Sequence, residues 1–170
     1  MPPQPPMPAL WIVPGPGQES VWDFPRPPRV EPSAERVVVR FAGQVIVDST
    51  EAVRVLETSH PPVYYLSRAA FPDGVLVAAP GSSMCEFKGA ARYLDVRVSE
   101  KVAPRAAWYY PEPWPGYAGL RDRVALFPAA MDSCEVDGEQ VFPQEGGFYG
   151  GWITSRVVGP FKGGPGTLGW

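Results

Sequence analysis

Arg36-Val-Val-Val-Arg-Phe41 and Val45-Ile-Val47, joined across Ala42-Gly43-Gln44, decide the fold class. Both runs are dense in β-branched residues, which suit a pleated strand, and the glycine-containing junction reads as a hairpin turn. Outward from this hairpin, runs of the same kind recur at Val63–Leu66, Val75–Ala78, Met84–Lys88, Ala91–Val98, Ala106–Tyr110 and Val124–Phe127. Phe71-Pro-Asp-Gly74 and Pro80-Gly81-Ser82-Ser83 punctuate them, and Asp137-Gly138 marks a tight hairpin between Cys134–Val136 and Glu139–Val141. Short strands with turns this frequent predict an all-β domain of antiparallel sheets. One helix is expected. Asp48 and Glu51 have capping-box spacing ahead of Ala52, Val53, Val55 and Leu56, which predicts a short helix over 50–58 that Pro61-Pro62 stops.

The chain has 170 residues, 45% of them hydrophobic, which suits one domain with a real core. Its 23 prolines are uneven, with 11 in residues 1–32. Three parts are therefore expected: a Pro-rich extended arm (1–32), a β-rich body (33–142) and a Gly/aromatic C-terminal strap (143–170). The arm carries Leu10, Trp11, Val21, Trp22 and Phe24, too apolar for a solvated linker, so residues 10–30 are predicted to lie ordered across the body. In the C-terminal part, Phe148, Tyr149 and Trp152 alternate with glycines. The segment reads as a second strap, or, in a sharper reading, Gly146–Trp152 forms part of a pocket rim.

Charge and composition exclude several classes. The formal net charge is −3, with no block of like charges, which argues against a nucleic-acid partner. No apolar run reaches the length of a membrane-spanning helix, so no membrane partner is expected. Met1 to Gly17 lacks the basic segment and apolar stretch of a secretory signal. Cys85, Cys134 and His60 are the only Cys and His residues, too few for a four-ligand structural zinc site, so no metal and no cofactor are expected. The two cysteines read as reduced thiols of a cytoplasmic protein.

Five segments together resemble a bacterial family called domain of unknown function 427: Glu19–Arg29, Arg54–Tyr65, Cys85–Tyr93, Ala107–Pro113 and Gly146–Thr154. The resemblance spans 19–170, and its most specific element is Cys-x-x-Lys-Gly-x-Ala-x-Tyr, Cys85 through Tyr93. It implies a β-tent fold, in which antiparallel sheets lean together over a ligand cleft, as in the ligand-binding domain of cereblon and one class of methionine sulfoxide reductase. Those relatives often pin their sheets with zinc held by two Cys-x-x-Cys pairs, which this chain lacks. The family is also labelled nucleotidyltransferase-like. The residues do not support that activity: Lys88-Gly89-Ala90-Ala91 stands where lysine-type transferases carry Lys-x-Asp-Gly, and no phosphate-binding Gly-rich loop is present.

Two chemistries remain open on the residues themselves. Cys85 has Lys88 three positions on, and a nearby cation favours thiolate, provided a turn at Glu86-Phe87 brings them to one side of the strand. With His60 as base and Glu57 as its orienting carboxylate, Cys85 would form a nucleophile arrangement; alternatively His60 caps the end of the helix. The second chemistry is binding. Lys88, Tyr93 and Trp108, with Tyr65 as neighbour and Glu86 at the polar edge, are expected to line an aromatic cleft beside Cys85. Lys88 would anchor an anionic or carbonyl group, and Trp108 gains space from the small Ala106 and Ala107. A small-ligand-binding domain, a metal-independent thiol enzyme and a structural or interaction protein are thus the three readings, with a small molecule the expected partner.

Overall fold

Val37–Phe41 and Gln44–Ser49 pair antiparallel through a two-residue turn, in which Ala42 and Gly43 both take positive φ (52° and 75°). That geometry matches the twist of the flanking strands. Asp137-Gly138 repeats the device at φ 49° and 81°. The computed structural model describes residues 12–170, so Leu10 and Trp11 of the predicted arm lie outside the described residues.

In chain order the strands are β1 (Glu19–Ser20), β2 (Arg29–Pro32), β3 (Val37–Phe41), β4 (Gln44–Ser49), β5 (Val53–Leu56), β6 (Val63–Ser67), β7 (Leu76–Cys85), β8 (Gly89–Val98), β9 (Lys101–Tyr109), β10 (Arg123–Leu126), β11 (Ser133–Val136), β12 (Glu139–Gln140), β13 (Phe142–Pro143), β14 (Trp152–Ile153) and β15 (Val157–Val158). The fold is all-β. A seven-stranded sheet runs β2-β5-β6-β10-β9-β8-β7 and a four-stranded sheet β12-β11-β3-β4, each antiparallel throughout. Among the described residues the only helical pieces are three-residue 3-10 turns, and no helix is long and apolar enough to cross a membrane.

The expected helix over 50–58 is therefore replaced by strand β5. Asp48 does not cap: its carboxylate takes both Arg36 Nε and Nη2, at 2.9 and 2.7 Å. Ser49 Oγ instead accepts the Glu51 N–H in a local turn. Val53, Arg54 and Val55 then pair with β6 on one side and with β2 on the other. The β-branched pair Val53 and Val55 buries on one face and Ala52 and Leu56 on the other, a pattern that a strand buried on both faces satisfies as well as a helix does. Another departure is at β7, which runs unbroken through the predicted Pro80–Ser83 loop with a register irregularity between Ala78 and Ser82.

The main core joins the two large sheets. Val37, Val39 and Val47 of the small sheet meet Leu66, Leu94, Val96, Val124 and Leu126 of the large one. The terminal segments pack on each other beside it. Val21, Trp22 and Phe24 bury with Leu56 and Val157, and Trp22 stands edge-on to Trp170 with centroids 5.4 Å apart. Trp22 Nε1 donates to the Pro160 carbonyl at 2.8 Å, and β1 pairs parallel with β15.

Candidate functional site

Side chains alternate along a strand, so each strand of the large sheet sends every second residue away from the main core. The register aligns those residues in one row: Val53 opposite Tyr65, Tyr65 opposite Ala125, Ala125 opposite Trp108, Trp108 opposite Tyr93. Their sequence neighbours Tyr64, Val124, Ala107 and Leu94 face the core instead. Tyr65, Trp108 and Tyr93 of this row, with Val55, Val63 and Ala91 on the same face, line a cavity of about 290 Å³, at the small end of ligand sites, which run from about 300 to 1,000 Å³.

The β7–β8 turn supplies the cavity's polar edge. Cys85 pairs with Gly89 across Glu86, Phe87 and Lys88. Gly89 takes φ +109°, and a Cβ there would press on the Trp114 ring at 3.2 Å and the Glu112 carbonyl at 3.3 Å. Trp114 N–H donates to the Lys88 carbonyl at 3.0 Å and holds the turn. Through it Lys88 swings back over the sheet, where its ammonium meets the Cys85 sulfur and lies 5.9 Å from the Tyr110 ring centre. Burial pulls Lys88 down, but Tyr65, Cys85 and Glu57 outweigh it and hold its pKa above the ordinary value, so it is a cation at neutral pH. Burial pushes the Tyr65 and Tyr110 phenols up, and both are neutral. Trp108 Nε1 donates to Tyr65 Oη at 3.2 Å, and Tyr93 Oη donates to Ser83 Oγ at 3.1 Å.

The opposite wall comes from the chain's end. Phe148, Tyr149 and Gly150 close over the sheet, and a Cβ on Gly150 would overlap the Trp108 ring. Space beside Trp108 thus comes from Gly150, whereas Ala106 and Ala107 point into the main core. Tyr149 packs edge-on against His60 with centroids 5.3 Å apart, and Lys162 lies 5.9 Å from the Tyr149 ring centre.

The cavity lining brings together Cys85, Lys88, Tyr93, Trp108, Tyr65, His60 and Glu57. Glu86 is exposed and takes no part in the lining. The nucleophile arrangement of Cys85, His60 and Glu57 is not formed. His60 Nδ1 meets Gln144 Nε2 at 3.2 Å and Nε2 faces Glu57 at 3.5 Å, so the imidazole has no ring nitrogen left for the sulfur. Nor is His60 a helix cap; it closes a turn in which its N–H donates to the Glu57 carbonyl at 3.0 Å. Burial, then Lys162, Arg26 and Lys88, pushes its pKa down to about 3. The Glu57 carboxylate that faces His60 also pairs with Arg26 at 3.3 Å.

Gln144, Lys162 and Phe127 also line the cavity and carried no readable signal. Gln144 is buried and ties the wall together: its amide donates to the Lys162 carbonyl at 2.6 Å, and its Oε1 accepts the Gly151 N–H at 3.1 Å. A lone glutamine between Pro143 and Glu145 looks like surface loop, and only the long-range fold reveals otherwise.

No curated protein matches the chain. A family model does match over residues 29–137, which hold the β7–β8 turn and the sheet side of the cavity from Val55 to Tyr110, and on that match the chain belongs to the family described as domain of unknown function DUF427.

Proposed function

We propose that this protein binds a small molecule with an apolar body in the cavity between the large sheet and the Phe148–Gly150 wall. The observation that carries the reading is that Tyr65, Trp108 and Tyr93 turn aromatic side chains away from the main core and line a cavity beside them. A sheet face that served stability alone would be covered by side chains at crystal-like density. Two free cysteines, one of them at the cavity, suit a reducing cytoplasm as its place of work.

The experiment is a fragment screen by thermal shift on the full chain and on Ser83→Trp, which fills the cavity from the exposed edge strand. Fragments that raise the melting temperature of the parent and leave Ser83→Trp unmoved support the reading. Equal shifts in both proteins, or no shift with any fragment, sink it. A second reading, thiol chemistry at Cys85, is favoured by one feature: the sulfur lines the cavity beside Lys88 and Tyr110. It would operate without His60.

A further inference from the structure

The charges around the cavity do not balance. Among the described residues Glu57 is the one carboxylate in its lining, and Arg26 already pairs with it at 3.3 Å. Around neutral His60 stand three cations: Lys88, Lys162 and Arg26. Among the described residues the Lys162 ammonium donates to the Trp170 carbonyl at 3.0 Å and makes no ion pair. Lys88 lies beside the Cys85 sulfur and the Tyr110 ring, feels Glu57 at longer range, and makes no ion pair among the described residues. A partly buried ammonium that faces a cavity and makes no ion pair is the natural seat of an incoming anion. The remaining walls are flat rings: Trp108 and Tyr65 on the sheet side, Phe148 and Tyr149 on the loop side.

We propose that the cavity takes a small aromatic anion, with its ring among Trp108, Tyr65 and Phe148 and its anionic head on Lys88. This rests on the ligand-binding reading above and names the ligand's class. Carboxylate and phosphate heads share the chemistry that Lys88 would recognise, since a lysine ammonium acts on either as a point charge.

Single-ring probes separate the terms: benzoate, phenyl phosphate, benzamide and benzylamine, titrated against the full chain. Tryptophan fluorescence and protection of Cys85 from a thiol reagent report occupancy. At least one anion is expected to bind about tenfold or more tighter than benzamide, the effect of one hydrogen bond to a charged group. Benzylamine is expected to bind weakest, and the tighter of the two anions identifies the head. Lys88→Gln should erase the preference and Lys88→Arg restore most of it. Added salt should narrow the gap in the unsubstituted protein, a readout that needs no variant to fold. Benzamide or benzylamine binding as tightly as the anions overturns the anionic class and leaves the cavity reading standing. An anion preference that survives Lys88→Gln overturns the assignment of the head to Lys88. If no probe changes the fluorescence or protects Cys85, both readings fall together.

Discussion

The two faces of the seven-stranded sheet are built from the same strands and have opposite fates. Tyr64 and Tyr65 are adjacent, yet Tyr64 packs on Trp152 in the main core, with centroids 4.9 Å apart, while Tyr65 looks into the cavity. The two cysteines divide the same way: Cys134 is sealed in the core and Cys85 lines the cavity. On the core face a second sheet supplies the partner, and branched aliphatic residues fill most of the space, with Phe41, Phe71, Tyr64 and Trp152 among them. On the other face Tyr117, Leu120 and Phe127 cover part of the sheet and the glycine-rich loop at Phe148–Gly150 another part, the cavity walls are largely aromatic, and the polar side chains include Lys88, Lys162, Glu57, His60 and Gln144. Packing accounts for the first face throughout and for part of the second, where it leaves a cavity, which is why function is sought there.

Truncating one tryptophan on each face gives the sharpest contrast. Trp152 is fully buried, and its Nε1 donates to the Leu126 carbonyl at 3.3 Å. Trp152→Ala is expected to cost about 3–5 kcal/mol by denaturant unfolding, as large-to-small core changes do. Trp108→Ala should cost less, about 1–3 kcal/mol, because its site already opens on a cavity that water can enter. Equal losses would mean that the cavity face is a second core.

The cysteines give the next contrast. In the native protein at neutral pH, one thiol is expected to react quickly with an aromatic disulfide reagent, and the second only as the chain unfolds. Cys134 is 2% exposed, and burial pushes its pKa up to about 12. Protection by global structure slows labelling by orders of magnitude. Cys85→Ser should abolish the fast phase and Cys134→Ser should leave it unchanged. A fast phase that survives Cys85→Ser would show the two faces to be alike.

The core face was legible in the sequence because period-2 alternation and turn chemistry are local: Val37–Val39, the Ala42-Gly43 turn and the Asp137-Gly138 turn were read from a few residues each. Half of the cavity was legible too, since Cys85, Lys88 and Tyr93 share one hairpin and Trp108 sits on the next strand. The other half depends on long-range closure. Gln144 and Lys162 reach the site only because the chain's end folds back over the sheet, and no spacing encodes that. At β5 the local signals conflicted. Asp48 and Glu51 mimic a helix start, but Arg36, twelve residues earlier, claims Asp48 across the hairpin.

The smallest expected effect isolates His60, the titratable group that most separates the cavity face from the core. Its pKa falls from an ordinary 6.5 to about 3 in the folded chain. The unfolded chain therefore takes up a proton near 6.5 that the folded chain refuses until about 3, and stability contributed above that window is lost as pH falls through it. Carboxylates held low in the fold, such as Asp48 and Glu31, have ordinary values of 3.8 and 4.5, so their loss comes later in acid. The interval from about pH 6.5 to about 5 is thus left mainly to the histidine. His60→Gln keeps an acceptor for the Gln144 amide and removes the titration. Its unfolding free energy, followed by urea denaturation, should lie below that of the unsubstituted protein at pH 7.5 and approach it by pH 5. Two curves that run parallel across that interval would show that His60 titrates alike in both states, and that its surroundings do not exclude a further positive charge.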